Sequence, residues 1–267
     1  ASDGATVEGI KDFGAMVSGP NRLAMFGRQI LLGEPGTKDA PRKLRLYDIL
    51  EGTDVWSKDF PADSVVLKTH DPELTGIVTV EGAIQVLASK TGKVLLEGKV
   101  DAQKLDDHLK IAGKVALKDP LLMADSERFY VFLNKDDKGG NVNVFWGQAQ
   151  VKTAPVNGAC YAFDRTTSKR LWYTDTQFNR QQICVERFED MPCIVGSNPS
   201  YVDPDSKVPN NGQYQHQVLA VDKRTGVLKL YKNNPPGNGQ FQTLNYDAKT
   251  GGFEFWNYNL RVKISAE

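Results

Sequence analysis

The chain has 267 residues, with 33 Lys plus Arg balanced by 33 Asp plus Glu and 40% hydrophobic residues. That length allows one large all-β domain or two smaller ones, and the zero net charge excludes a global basic field that would gather nucleic acid or anionic lipid. No stretch approaches the roughly 20 apolar residues needed to span a bilayer as a helix.

Residues 1–20 are rich in Gly, Ala and Ser and read as a loose arm or a closing strand. The first residue is Ala rather than Met, which suggests a processed chain or part of a longer one. Residues 21–267 carry the β pattern. Strands are expected near Leu23–Leu32, Lys43–Leu50 and Asp54–Phe60. A clean set of four follows at Ser64–Lys68, Gly76–Val80, Ala83–Ala88 and Lys93–Val100. Between 101 and 113 the pattern changes: Leu105, Leu109 and Ala112 fall at helical spacing between Asp101 and Gly113, so a short helical insertion is expected. Arg128–Asn134 reads as a strand, residues 135–158 and 197–213 as long polar loops, and Phe253–Tyr258 and Leu260–Ile264 as closing strands.

One turn returns five times in a single register: LYDILEGTDVW (46–56), VLASKTGKVLL (86–96), AFDRTTSKRLW (162–172), AVDKRTGVLKL (220–230) and NYDAKTGGFEF (245–255). The anchor is Asp48, Ala88, Asp164, Asp222 and Asp247. Four positions on come Gly52, Gly92, Ser168, Gly226 and Gly251, and eight positions on Trp56, Leu96, Trp172, Leu230 and Phe255. The pattern is that of a β-hairpin. The Asp carboxylate accepts backbone N–H groups of the next residues, and Gly takes the left-handed conformation that the turn needs. The bulky residue on the departing strand packs against a neighbouring element. Successive anchors are 40, 76, 58 and 25 residues apart; the first spacing matches one four-stranded propeller blade and the others imply insertions or missing strands.

This Asp-x-x-Thr-Gly-x-x-x-Trp pattern resembles the repeat of quinoprotein-like β-propellers, the family that binds pyrroloquinoline quinone, and of their non-enzymatic relatives. The resemblance runs unevenly over about residues 40–260 and keeps the Trp at Trp56 and Trp172. It implies an all-β propeller of four-stranded antiparallel blades. About four to five blades are countable, forming either a small ring or the C-terminal part of a larger one. It also implies a periplasmic or extracellular location and a protein partner, or the remaining blades of a longer chain.

Other chemistry is sparse. His70, His108 and His216 share no ligand spacing. The loop NKDDKGGNVN makes Asp136, Asp137 and Asn141 candidate calcium ligands, with a solvated loop as the plain alternative. Trp146, Tyr201 and Tyr214 are candidates for a partner surface. Of the three cysteines, Cys184 and Cys193 are the nearest pair in sequence, and free thiols are the simpler reading. The leading expectation is a non-catalytic propeller scaffold that presents loops to a protein and needs no cofactor. The alternatives are part of a quinoprotein dehydrogenase using the quinone and calcium, and a carbohydrate-binding propeller.

Overall fold

The structure is a computed structural model. It describes residues 13–101, 110–111, 114–115, 117, 119–134, 151–202, 213–233, 241–257 and 260–265. The chain divides into two units, Ala1–Val115 and Ala116–Glu267.

The first unit begins with a short helix, α1 (Phe13–Ser18). Four strands follow, β1 (Arg22–Phe26), β2 (Gln29–Glu34), β3 (Arg42–Asp48) and β4 (Thr53–Phe60). They pair antiparallel in chain order as one four-stranded sheet. The stretch read as one strand at Leu23–Leu32 is two strands, because Gly27 turns the chain with φ 61°. A second run of four, β5 (Val65–Thr69), β6 (Leu74–Val78), β7 (Ala83–Ala88) and β8 (Val94–Lys99), also pairs in chain order. Leu44, Ile77 and Leu87 form a buried cluster, with Trp56, Phe60, Val66 and Val94 packed against it. Residues 102–109 of the expected helical insertion lie outside the described residues. At its end, β9 (Lys110–Ile111) pairs with β10 (Lys114–Val115).

The second unit is led by seven strands: β11 (Leu121–Ala124), β12 (Arg128–Asn134), β13 (Thr153–Asp164), β14 (Arg170–Cys184), β15 (Cys193–Val202), β16 (Gln213–Asp222) and β17 (Leu228–Asn233). Each pairs antiparallel with the next. A 3-10 turn, Phe188–Asp190, links β14 to β15. The unit ends in a three-stranded sheet of β18 (Thr243–Asp247), β19 (Gly252–Asn257) and β20 (Leu260–Ile264). Its core is aromatic: Tyr130, Phe132, Phe178, Phe253 and Phe255 are buried, and Phe132 meets Phe178 edge-on at 5.3 Å. Each such ring contributes about 1.5–3 kcal/mol by leaving water.

The all-β class stands, but the propeller does not. None of the sheets among the described residues closes on itself. From β11 to β17 the ladder is continuous, and β14 pairs directly with β15 through Gln182↔Ser197 and Ile183↔Gly196. Separate four-stranded blades would break the ladder there. The repeated turn misled because it encodes hairpin geometry, which any antiparallel sheet can use. The functions that presuppose a ring fall with it: the propeller scaffold, the quinone-dependent dehydrogenase and the carbohydrate-binding propeller. So does the membership of the quinoprotein-like family.

Two expected loops are partly strand. Residues 153–158 belong to β13, where Ala154 and Val156 are buried and Pro155 between them is exposed. Asn134 fills the irregularity beside them. Its amide donates to the Asp119 and Pro155 carbonyls at 2.9 and 3.3 Å, and its oxygen accepts from Asn157 N–H at 2.8 Å. Likewise 197–202 belong to β15.

Candidate functional site

The repeated turn has one geometry throughout. Its fourth position has positive φ in every copy: Gly52 68°, Gly92 65°, Ser168 60°, Gly226 72° and Gly251 65°. Asp164 Oδ1 accepts from Thr166 and Thr167 N–H at 2.9 and 2.7 Å. Asp222 Oδ1 accepts from Arg224 and Thr225 N–H at 2.9 and 2.8 Å. Asp48 does the same for Leu50 and Glu51, and Asp247 for Lys249. All four carboxyls are held below the usual carboxylate range. For Asp164 and Asp247 the main cause is the backbone N–H bonds of Thr167 and Lys249. For Asp48 and Asp222 burial pushes upward, and the combined hydrogen bonds outweigh it.

Two of the turns are covered by a tryptophan from an earlier hairpin. Trp56 Nε1 donates to Ser89 O at 3.0 Å, and its ring lies against Gly92. Trp172 Nε1 donates to Lys223 O at 2.9 Å, and its ring lies against Gly226. In both cases the acceptor is the residue after the anchor, so one register explains both contacts.

Beneath the second of these turns is a buried cation that sequence reasoning missed. Lys223 is 3% exposed. Its ammonium donates to the Phe188 carbonyl, stands 3.7 Å from the centre of the Phe188 ring and 5.6 Å from that of Tyr130, and is 3.6 Å from Asp125 Oδ2. Asp125 is already engaged. Its Oδ1 accepts from Glu127 and Arg128 N–H at 2.9 and 2.8 Å, and its Oδ2 from the Tyr130 hydroxyl at 2.7 Å. Burial pushes the Lys223 amine down to about 8, against an upward pull from Asp125. Burial, then the bond to Asp125, pushes the Tyr130 phenol up.

The surface that stands out is the edge strand β1. Among the described residues it pairs with β2 on one side only. Leu23 lies in the irregularity between Arg22 and Ala24, where the alternation of faces is broken, and Leu23 and Met25 are 40% and 45% exposed. Leu23 sits over Gly33 of β2, with Leu23 Cδ1 3.1 Å and Val66 Cγ2 3.4 Å from where a Cβ there would lie. Arg22 donates to Met25 Sδ at 3.6 Å. From Gly19 to Ile30 the segment holds Arg22 and Arg28 and no acidic residue; Arg28 pairs with Asp48 at 2.8 Å.

Asp136, Asp137, Asn141 and Trp146 lie outside the described residues. Tyr201 and Tyr214 are backbone partners across β15 and β16. Among the described residues no group of three His, Cys, Asp or Glu could hold a metal, and no helix is long and apolar enough to cross a membrane. The three cysteines are free thiols. Burial pushes Cys160 up and Cys184 up to about 12.

No protein-family model matches the chain, and no curated protein matches it. Among solved structures it is similar to BamB from Moraxella catarrhalis, at 12% identity and TM-score 0.40, covering 91% of this chain and 55% of that one. It is similar to a chain of a mitotic checkpoint complex at 11% and 0.40, covering 89% and 60%. A third is a Kuenenia stuttgartiensis hydrazine synthase at 10% and 0.40, covering 88% and 56%. The chain thus spans a little over half the length of these structures. Likeness at this level assigns neither a family nor an activity.

Proposed function

We propose that the protein acts by binding, with the open edge at β1 accepting an extended segment of a protein partner. The observation that carries this reading is an edge strand that exposes two large apolar side chains, Leu23 and Met25. Natural edges are normally blunted by charge, proline or bulges, because unpaired N–H and C=O groups recruit other strands. β1 has an irregularity between Arg22 and Ala24, yet Leu23 and Met25 both reach solvent. An added strand would gain ladder hydrogen bonds from the backbone and affinity from apolar side chains on alternate residues. Nucleic acid is a poorer match, because the exposed Leu23 and Met25 side chains offer phosphates nothing.

A location outside the cytoplasm belongs to the same proposal. Buried thiols of raised pKa are slow to oxidise, so Cys160 and Cys184 are compatible with an oxidising compartment; fractionation of cells making the full-length protein tests it. The binding reading is tested by a photo-crosslinking residue at position 25 of the full chain, in its own cells, with position 57 on the opposite edge β4 as control. One protein should be trapped from position 25, and Leu23→Lys should abolish the trapping. Trapping that is absent, equal at both positions, or indifferent to Leu23→Lys overturns the reading.

A further inference from the structure

We propose that Lys223 is a proton-sensitive latch on the β16–β17 turn: the protonated amine biases the turn toward swinging out to water, and loss of the proton lets it close. Three parts of the second unit converge on this amine. They are the β11–β12 turn with Asp125, strand β12 with Tyr130, and the 3-10 turn with Phe188. An ammonium has three N–H donors. Here it finds one carbonyl, two ring faces and one carboxylate at 3.6 Å. That carboxylate already accepts from two backbone N–H groups and a phenol, so its charge is shared. The cation is therefore buried with incomplete compensation, which disfavours the charged form. The other ionisable neighbours are Arg128, which also opposes the charge, and Cys193, whose anion would favour it.

The closed amine loses its proton at about 8, whereas a solvated lysine keeps it to about 10.5. An opening that returns Lys223 to water is therefore easiest where the amine is charged in both states, at pH 8 and below. It becomes harder as pH rises toward the value of the solvated group. Opening would also uncover Trp172, because the same turn offers the Lys223 carbonyl to Trp172 Nε1 and Gly226 to its ring. The latch thus couples protonation to exposure of an aromatic surface.

Amide exchange in the full chain tests this at the turn itself, corrected for intrinsic rates. The reporters are Lys223 N–H, bonded to Pro192 O, and Gly226 N–H, bonded to Asp222 O. Between pH 7.0 and 8.5 their protection should rise roughly fourfold in the native protein, while Gly92 N–H in the first unit stays constant. At pH 7.0 Lys223→Met should raise protection on the order of a hundredfold, and Lys223→Arg, which keeps its charge, should not. Lower protection in Lys223→Met would make the charged lysine a stabilising tie and overturn the latch. A pH-independent native protein overturns it too, even if the Met variant does not fold.

Discussion

Gly92→Ala isolates the energetic role of the tryptophan contact. Both Gly52 and Gly92 have left-handed backbone, φ 68° and 65°, in equivalent turns of the same unit. At Gly52 a new methyl would meet only Tyr47 Oη, 3.8 Å away. Its cost is the left-handed strain alone, about 1 kcal/mol. At Gly92 the methyl would lie 2.7 Å from Trp56 Cδ2 and 2.9 Å from Cγ. The ring is tethered by its bond to Ser89 O, so it cannot withdraw without losing that bond. Overpacking of this kind adds about 1–3 kcal/mol, giving a total of about 2–4 kcal/mol for Gly92→Ala. Urea unfolding of the full chain, followed by far-UV circular dichroism, measures both variants. In a Trp56→Leu background the extra cost of Gly92→Ala should largely vanish, because the clashing ring is gone. Equal losses at Gly52 and Gly92, or strict additivity with Trp56→Leu, would refute the idea that the ring presses on the turn.

Three further outcomes are expected. Ser168→Gly should stabilise the second unit by about 1 kcal/mol, since Ser168 is the non-glycine holding this left-handed position at φ 60°; thermal unfolding reads it. Lys223 should make global stability rise with alkalinity. Its native pKa of about 8 lies below the solvated 10.5, so the unfolded chain holds more protons between those values and stability increases by about 2 kcal/mol from pH 7 to 9.5. Tyr130, raised in the native state, opposes this above about pH 10, and Lys223→Met should flatten the rise in urea midpoints. Finally, Leu23→Lys and Met25→Lys should leave stability within about 0.5 kcal/mol, because both side chains are half exposed, while removing partner capture.

Local features were readable and non-local ones were not. Four carboxylates and five left-handed positions lie at one spacing because each turn is specified by its own few residues. Pairing between β14 and β15 depends on residues such as Ile183 and Gly196 that no short-range pattern connects, so an open ladder could pass for separate blades. The start of β13 was hidden by Pro155 and Gly158, although Ala154 and Val156 keep the alternation of a strand. Lys223 gave no warning, since a lysine beside a turn Asp ordinarily faces water. The one available signal was its place directly after the anchor, the position whose carbonyl the tryptophan of an earlier hairpin reaches, as at Ser89. The β1 edge was equally obscure, because the exposure of Leu23 and Met25 depends on which strand stands last in the sheet.

The most direct measurement of the central claim is amide exchange across β1 with and without the protein trapped from position 25. If a partner strand adds to this edge, amides of Arg22–Phe26 gain protection in the complex while those of the opposite edge β4 do not. Unchanged exchange along β1 in a formed complex would contradict it.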